Sequence, residues 1–384
     1  MSRPLLLLID ARSLTLTSVG VGVYSLRLIH GLLRHAPALR FKVLLPSLLN
    51  PSNLGIADSR VIPLPAAPRL GNQYINCIAS NIHLTHFLSK HHPDALFHAT
   101  NAFWSPLRPR HTLVTMHDLI PYHFPKYFGK YPVRRFMQRR YERFAARSER
   151  ILSVSQCTAR DLTALAGIPA QKISVHYNFV GEEYFAIDRL SQGAEIRTLR
   201  EKYGLPADYW LYLGGYDYRK NIEFLIRSYA RASKKKTLPP LVLAGAIPTD
   251  LSKPFCDVLG ALREAGLSTD AVLMPGRVDS DDLPFLYAGA SLLIYPSLYE
   301  GFGYPAAEAM AVGTPVLVSN TSSLPEIVRR SECRFDPTDE EGLSLKLLEA
   351  ANDPSQFLCP LPAEFTEKEG IRRYLQIIES LREE

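Results

Sequence analysis

Residues 296–310 read PSLYEGFGYPAAEAM, in which Glu300 and Glu308 flank a glycine-rich loop that leads into a predicted helix. The glycines let a ligand approach the backbone, and Pro305 falls in the first turn of that helix, where proline is tolerated. The N–H groups of such a turn favour an anion such as a phosphate. Glu308 can accept hydrogen bonds from a ribose and Glu300 from a transferred sugar. The stretch predicts a sugar-nucleotide site, although acidic residues near a helix start are also common without any ligand.

The length and the hydrophobic pattern predict two domains. A chain of 384 residues exceeds what one compact core usually organises. Short apolar runs alternate with amphipathic helices in both halves, which predicts two parallel sheets, each covered on both faces. We expect the boundary between Gly181 and Gln192, with domains at residues 1–184 and 185–365 and a final helix within 366–384.

The predicted elements follow from these runs. The predicted strands are Leu5–Ile9, Lys42–Leu45, Ala95–His98, Thr112–Thr115, Ile151–Val154, Ile173–Val175, Trp210–Leu213, Leu241–Ala244, Val272–Met274, Leu292–Tyr295 and Pro315–Ser319. A helix is predicted over Val23–Arg34. The proline-containing segment 46–68 predicts a loop.

Cysteine usage and apolar runs indicate the compartment. The five cysteines are odd in number and scattered, without C-x-x-C spacing, which argues against disulfides and zinc. The run Leu5–Ile9 is too short for a signal peptide or a membrane span, and no later stretch is long enough. We therefore expect a cytoplasmic protein.

Charge is distributed unevenly along the chain. Residues 1–185 carry 22 Lys and Arg against 9 Asp and Glu, a net charge of +13, and the remainder carries −7. Six arginines recur between Lys126 and Arg150 along a predicted helix with interleaved aromatic residues. This pattern is typical of a helix that contacts anionic lipid at a membrane surface. A solvated helix with internally paired arginines is the alternative, and no nucleic-acid-binding module accompanies the patch.

Four motifs lie at or near the carboxyl ends of predicted strands, where open α/β sheets bind ligands. Gly20-Val21-Gly22 comes after the first strand, His117-Asp118 after Thr112–Thr115, and Gly214-Gly215 with Arg219-Lys220-Asn221 after Trp210–Leu213. Glu300 to Glu308 follows Leu292–Tyr295. In this order the motifs resemble those of the family 4 retaining glycosyltransferases of the GT-B fold, whose E-x7-E signature matches Glu300 and Glu308.

The resemblance implies a fold and a division of labour. Two doubly wound Rossmann-like domains would face each other across a cleft, with residues 1–184 binding the acceptor and residues 185–365 binding the donor. The final helix, within 366–384, would cross back onto the first domain. The implied chemistry is a retaining transfer of a sugar, either by front-face departure and attack or by double displacement through a carboxylate.

The resemblance also implies roles for individual residues. The departing diphosphate needs cations, and Arg219 and Lys220 are the candidates, although an Arg-Lys pair is usually solvated surface. His117 would line the reaction centre and contact the donor sugar, although a capped loop histidine is the simpler interpretation. Glu300 is the other candidate catalytic residue. The residues expected to bind the donor are Gly20, Val21, Gly22, Gly214, Gly215, Arg277, Val278, Gly301, Phe302, Gly303, Tyr304 and Glu308.

The triplet Asp279-Ser280-Asp281 invites a metal-binding interpretation, which we reject. It precedes a predicted helix at 282–289, so Asp279 or Ser280 is expected to cap the helix and the acids suit its dipole. We expect neither a catalytic metal nor another cofactor. Gly215 and Tyr304 depart from the commonest family pattern, which has arginine and leucine there, and Val23 replaces an arginine.

The R-K-N variant at residues 219–221 resembles bacterial mannosyltransferases of surface polysaccharide synthesis. GDP-mannose is therefore the first expected donor, and a glycan or polyprenyl-diphosphate-linked saccharide is the expected acceptor. The alternatives are a sugar-nucleotide epimerase or hydrolase and a non-catalytic nucleotide-sugar-binding subunit. No nucleic-acid partner is expected.

Overall fold

The computed structural model describes residues 6–12, 14, 20–46, 49–63, 82–84, 86–88, 90–101, 111–125, 139, 142–187, 191–248, 255–268 and 270–383. The chain forms two compact units. The first unit comprises Met1–Phe179 together with Glu367–Glu384, and the second comprises Val180–Thr366.

The first unit contains a seven-stranded parallel sheet with the order β3-β2-β1-β4-β5-β6-β7. Its strands are β1 (Leu7–Asp10), β2 (Phe41–Leu45), β3 (Val61–Pro63), β4 (Leu96–Ala99), β5 (His111–Met116), β6 (Arg150–Ser153) and β7 (Ile173–Val175). The helices of this unit whose bounds the structure describes are α1 (Val21–His35), α2 (Ile120–His123), α3 (Gln156–Ala164) and α12 (Glu367–Glu383).

Apolar side chains cover both faces of this sheet. On one face, α1 and α12 pack together and bury residues such as Leu28, Ile371 and Ile378 against the strands. On the other face, Phe144 and Leu162 pack against β4 to β6. Because both faces are covered, the central strands read as nearly continuous apolar runs, as the sequence predicts.

The second unit contains a six-stranded parallel sheet with the order β10-β9-β8-β11-β12-β13. Its strands are β8 (Trp210–Leu213), β9 (Leu241–Ala244), β10 (Val272–Gly276), β11 (Leu292–Tyr295), β12 (Val316–Ser319) and β13 (Arg334–Phe335). Its helices are α4 (Glu182–Phe185), α5 (Gly193–Tyr203), α6 (Ile222–Ser233), α7 (Val258–Ala265), α8 (Leu283–Gly289), α9 (Tyr304–Ala311), α10 (Leu324–Ile327) and α11 (Glu340–Ala350).

The strand order reverses direction once in each sheet. In the first unit the reversal lies between β1 and β4, and in the second it lies between β8 and β11. A doubly wound sheet opens a crevice at the carboxyl ends of the two strands beside such a reversal. The loops that follow β8 and β11 carry Gly214–Lys220 and Glu300, so these motifs meet at the switch point of the second sheet.

Two predictions about the fold need correction. The segment 46–68 is not all loop, because it contains a 3₁₀ turn at Pro51–Leu54 and the edge strand β3, which pairs with β2. The expected side-chain cap at Asp279 or Ser280 is absent at both the 3₁₀ turn 280–282 and α8. The carboxylates of Asp279 and Asp282 instead accept hydrogen bonds from Lys202 Nζ, at 2.9 and 2.7 Å.

The described residues bear on two further expectations. The four cysteines among them, Cys157, Cys256, Cys333 and Cys359, are buried free thiols. Among the same residues, no helix has both the length and the apolar composition needed to cross a membrane.

Candidate active site

The loops after β8 and β11 bring four charged side chains of the second unit together. The backbone N–H of Leu298 donates to the carbonyl of Arg219 at 2.7 Å, which holds the two loops in contact. Lys220 Nζ lies 2.5 Å from Glu300 Oε1, and Arg219 Nη1 lies 3.0 Å from the same oxygen. Asp217 pairs with Arg219 Nε at 3.2 Å. We call Asp217, Arg219, Lys220 and Glu300 the charged cluster.

Neutral hydroxyls complete the surroundings of the Glu300 carboxylate. Tyr295, the last residue of β11, donates to Glu300 Oε1 at 2.9 Å, and Ser297 donates to the same atom. Lys220 Nζ also donates to the Tyr295 hydroxyl at 2.6 Å. Lys220 and Glu300 are both buried. These bonds replace the water that the two charges lost on burial, which is the condition for a buried ion pair to persist.

Electrostatics fixes the protonation states in the charged cluster. Burial alone would raise the pKa of the Glu300 carboxyl, but the charges of Lys220 and Arg219 outweigh it and lower that pKa to about 2. Burial lowers the pKa of the Lys220 ammonium, and attraction to Glu300 opposes that shift. At neutral pH Glu300 is therefore an ionised acceptor held between two cations, and it has no proton to give.

The loop from Glu300 into α9 is fixed by serines that sequence reasoning missed. The N–H of Glu300 donates to Ser322 Oγ at 2.9 Å, and Ser323 Oγ donates to the carbonyls of Glu300 and Phe302 at 3.0 and 2.5 Å. Both serines come after β12, so no local pattern in the sequence links them to Glu300. The side chain of Phe302 is buried against Phe365, with ring centroids 5.7 Å apart, which leaves its backbone as the part that can face a ligand.

Gly303 forms the N-terminal boundary of α9. Its φ of 117° lies in a region that other residues rarely adopt, and a Cβ there would approach Leu324 Cδ2 to 2.6 Å. The helix begins at Tyr304 with Pro305 in its first turn, and no side chain caps it. Gly301 precedes this turn. The amides of Ala306 and Ala307 donate to the Gly303 carbonyl at 3.1 and 3.3 Å, so backbone contacts close the first turn of α9.

Glu308 lies on α9, one turn after its start, and is buried. Its Oε2 accepts a hydrogen bond from the Tyr287 hydroxyl of α8 at 2.8 Å. This contact orients the carboxylate. Tyr287 was not among the predicted residues, because a tyrosine in an apolar helix is typical of a core position.

The glycine loop after β8 approaches the neighbouring strand closely. The N–H of Gly214 donates to the carbonyl of Ala244 at 3.0 Å, and a Cβ at Gly214 would lie 2.8 Å from the Tyr212 hydroxyl. Tyr212 itself donates to the Gly215 carbonyl at 2.5 Å. Asn221 lies at the start of α6 with a left-handed φ of 57°. Asparagine adopts this conformation more readily than most residues, which explains its position after Arg219 and Lys220.

Arg277 and Val278 lie elsewhere on the same edge of the second sheet. They follow the edge strand β10, two strands away from β8. Val278 is buried and Arg277 is exposed. The structure therefore separates these two residues from the charged cluster along the sheet edge.

In the first unit, His117 follows β5 and is held by Thr100, which follows β4. His117 Nε2 lies 2.8 Å from the Thr100 carbonyl, and the Thr100 hydroxyl donates to the Asp10 carbonyl at the end of β1 at 2.7 Å. A carbonyl can only accept, so Nε2 carries the proton and Nδ1 is an acceptor. Burial lowers the pKa of His117 to about 4, so the ring is neutral at pH 7.

The glycine motif of the first unit lies at the start of α1. Gly20 precedes the helix with a φ of 53°, and Val21 and Gly22 form its first turn. Tyr24, in the same turn, packs its ring against His117, with centroids 5.0 Å apart. The start of α1 and the ends of β1, β4 and β5 thus meet at the switch point of the first sheet.

Comparisons with known proteins decide the family. Residues 20–184 match the family described as Glycosyltransferase Family 4, and residues 195–369 match the family described as Glycosyl transferases group 1. The chain belongs to the family 4 glycosyltransferases. Its two doubly wound units have the GT-B fold of this family, which confirms the fold predicted from the motifs.

Relatives and solved structures agree with this family. The O-antigen chain mannosyltransferase B of Escherichia coli is 33% identical over 264 residues, which are 68% of this chain and 66% of that protein. The serotype-specific mannosyltransferase WbdA of Escherichia coli is 33% identical over 248 residues, 64% of this chain but 30% of that longer protein. Anabaena HepE, solved with UDP and glucose, aligns with a TM-score of 0.71 at 16% identity, covering 98% of this chain and 100% of that one.

The chain therefore spans about two thirds of the first of these relatives and less than a third of the second. The similarity to HepE concerns the fold, because the identity is low. Membership of the family and the fold are established by these matches. The identity of the substrates has to be inferred from the residues of the site.

Proposed function

We propose that this chain is a retaining, metal-independent glycosyltransferase that moves a hexose from a nucleoside diphosphate sugar to a glycan or polyprenyl-diphosphate-linked saccharide. The charged cluster carries the proposal, because it holds two cations at the switch point where the loops after β8 and β11 meet. Mannose from GDP-mannose is the proposed donor group. The similarity to O-antigen mannosyltransferases supports that choice and a place in surface polysaccharide synthesis.

The proposed reaction breaks the bond between the anomeric carbon and the diphosphate oxygen. The acceptor hydroxyl oxygen forms the new bond from the same face, and its proton passes to the departing diphosphate. Arg219 and Lys220 stabilise the charge that develops on that diphosphate, the first as a fork and the second as a compact point charge. Glu300 holds both cations in place before the donor arrives, so little reorganisation is needed.

Three acceptors are proposed to position the donor. Glu308, oriented by Tyr287, would accept hydrogen bonds from the ribose hydroxyls. Glu300 and the neutral Nδ1 of His117 would accept from the hydroxyls of the transferred sugar. Four donors already bond Glu300 Oε1, which weakens it as a nucleophile and favours the front-face route over double displacement.

Nucleotide release from a panel of sugar nucleotides tests the proposal. The panel contains GDP-mannose, GDP-fucose, UDP-glucose, UDP-N-acetylglucosamine and UDP-galactose. We expect slow hydrolysis of one donor by the wild-type protein, and a loss of about a hundredfold or more in Glu308→Ala. Glu264→Ala, which removes an exposed helical glutamate, is the matched control and should keep the wild-type rate.

The outcomes separate the alternatives. Rapid release of free sugar that no acceptor accelerates would indicate a hydrolase, and interconversion of the donor would indicate an epimerase. Calorimetric binding of one donor without release, even with acceptor lipid present, would indicate a non-catalytic binding subunit. A wild-type rate in Glu308→Ala would contradict the assignment of the site.

We further propose that the protein works in the cytoplasm, in peripheral contact with an anionic membrane through residues 126–150. Residues 126–138, 140 and 141 lie outside the described part of the chain. Within the described part, residues 142–147 are helical, and Arg139, Arg143 and Arg147 are exposed four residues apart. That spacing would place them on one face of a helix.

Sedimentation with anionic liposomes tests this contact. Arg139→Glu combined with Arg140→Glu should reduce the sedimented fraction while donor hydrolysis persists, because charge attraction to anionic lipid is lost. Arg227→Glu combined with Arg231→Glu changes the net charge equally on α6, where both arginines pair with glutamates, and should sediment like the wild type. Equal sedimentation of all three proteins would support the alternative that the basic helix is a solvated surface.

A further inference from the structure

The interior of the first unit contains a chain of polar side chains that the proposed chemistry does not use. His98 of β4 contacts the Tyr374 hydroxyl through Nδ1 at 2.7 Å and the Thr115 hydroxyl through Nε2 at 2.8 Å. Thr115 Oγ1 lies 3.0 Å from the Tyr24 hydroxyl. We call His98, Thr115, Tyr24 and Tyr374 the histidine network. It joins α12, two central strands and α1 in one hydrogen-bonded path.

Burial makes this path costly to assemble and specific once formed. All four side chains have relative exposures of 0 to 1%. Burial lowers the pKa of His98 to about 3, so its neutral ring has one donor and one acceptor nitrogen, and each has a partner. Apolar side chains of similar volume would avoid the desolvation of four polar groups. A fully satisfied polar network, in contrast, rigidifies the core and holds its members in one arrangement of non-hydrogen atoms, whichever hydroxyl donates.

That arrangement determines where the Tyr24 ring lies, and the Tyr24 ring borders His117. The two rings meet edge to face, with an interplanar angle of 78° and centroids 5.0 Å apart. The His117 ring is also held by the Thr100 carbonyl, which accepts a hydrogen bond from Nε2 at 2.8 Å. The imidazole is therefore confined on one side by a hydrogen bond and on another by a ring whose hydroxyl is anchored to Thr115.

We propose that Tyr24 is a positioning residue for His117, and that Tyr374 on the last helix holds Tyr24 in place through His98 and Thr115. The network keeps the His117 imidazole in the orientation that protonates Nε2 and leaves Nδ1 as an acceptor. Its effect on turnover rests on the proposed glycosyltransferase activity, whereas its effect on the imidazole does not. The last helix, α12, therefore packs against α1 and also helps to hold His117 in place.

Two substitutions at Tyr24 separate the ring from the hydroxyl. Tyr24→Leu removes both, and Tyr24→Phe removes only the bond to Thr115. Tyr229→Phe is the matched control, because it deletes another buried tyrosine hydroxyl, which donates to the Pro239 carbonyl at 2.9 Å in the second unit. The proteins are labelled with nitrogen-15 histidine, and the His117 signals are assigned with His117→Gln.

The imidazole nitrogen shifts and the split between kcat and KM are the two readouts. In Tyr24→Leu we expect the two His117 nitrogen shifts to converge, as tautomers mix, and kcat to fall about tenfold while KM for the donor stays within about twofold. In Tyr24→Phe the nitrogen shifts should also converge, and kcat should fall about threefold. Tyr229→Phe should show neither change. A purely structural role would lower the folded fraction without moving the tautomer of the folded protein.

Wild-type nitrogen shifts in both Tyr24 variants would overturn the proposal, whatever their activity. Tyr24→Phe keeps this test available if Tyr24→Leu does not fold. If the wild-type protein releases no nucleotide from any donor, the proposed function fails, and the nitrogen shifts still decide whether Tyr24 positions His117.

Discussion

The two units place polar side chains at equivalent edges of their sheets but treat charge in opposite ways. At the switch point of the second unit, Lys220 and Glu300 are buried and ionised, 2.5 Å apart, with Arg219 beside them. In the first unit, His117 has a neutral ring and contacts the neutral residues Tyr24 and Thr100, while Asp10 and Arg12 pair with each other at 2.8 Å at the end of β1. The same edge of the same type of sheet therefore places a cluster of buried charges in one unit and a neutral histidine in the other.

The difference follows from what each arrangement can do. Buried charges need partners at close range, and they respond strongly to a ligand that carries or develops charge. A neutral network fixes the orientation of a neighbouring side chain without attracting a counter-ion. The charged cluster suits a diphosphate, and the neutral network suits the orientation of the uncharged His117 ring.

Removing one member of the charged cluster should produce the largest effect. Lys220→Ala leaves Glu300 buried with one cation fewer, so we expect donor hydrolysis to fall by about a hundredfold or more. The free energy of unfolding should fall by about 3 to 5 kcal/mol, as measured by urea denaturation. The control is Lys202→Ala, whose exposed ammonium pairs with Asp279 and Asp282, and which should keep the wild-type rate.

A second substitution separates stability from catalysis in the same cluster. Lys220→Ala combined with Glu300→Gln removes the uncompensated carboxylate, so about 2 kcal/mol of the lost stability should return while hydrolysis stays low. If the double variant is no more stable than Lys220→Ala, the unpaired Glu300 carboxylate is not the source of the lost stability. Wild-type hydrolysis in Lys220→Ala would exclude the cluster from the reaction.

The sequence predicted most strands because a covered parallel sheet reads as continuous apolar runs. The structure reproduces the predicted strands Ile173–Val175, Trp210–Leu213, Leu241–Ala244 and Leu292–Tyr295 to the residue. It adds β3 and β13, which escaped prediction because an edge strand of three residues that ends in proline, and a strand of two, carry no periodic signal.

The parts of the candidate site that belong to one sequence motif could be predicted. The residues that support them through tertiary contacts could not. Spacing and glycines identified Glu300 and Glu308, and the Arg-Lys pair marked the cations. Ser322 and Tyr287 support these residues from other elements, so only the folded chain reveals them. His98 lies in an apolar strand, where a single histidine is typical of a core position.

Acid should weaken the two units in different pH ranges. His98, His117 and His176 have pKa values lowered to about 3, 4 and 4, below the usual 6.5, because burial disfavours their charged forms. The unfolded chain therefore binds more protons below pH 6.5, and the free energy of unfolding falls as the pH drops from 6.5 to about 4. Each unit of pKa shift corresponds to about 1.4 kcal/mol.

The charged cluster responds at lower pH. The pKa of Glu300 is lowered from 4.5 to about 2, so its stabilisation is complete above pH 4.5 and is lost as the pH falls toward 2. Urea denaturation at a series of pH values should show both ranges in the wild type and a smaller loss in the lower range in Glu300→Gln. Constant stability of both proteins between pH 6.5 and 4.5 would contradict the neutral state of the buried histidines.

The smallest effect is expected from the acidic triplet that resembles a metal site. Asp279 is exposed and pairs with Lys202, and Asp281 is also exposed, whereas the carboxylates of Glu300 and Glu308 are buried. We expect Asp279→Asn combined with Asp281→Asn to hydrolyse the donor within about twofold of the wild-type rate, because surface ion pairs contribute little. The rate should also be unchanged by EDTA. The opposite result would be a large loss of hydrolysis in EDTA-treated protein, which added magnesium restores in the wild type but not in the variant. It would show that carboxylates outside the charged cluster hold a catalytic ion. The second unit would then neutralise the diphosphate with more than Arg219 and Lys220.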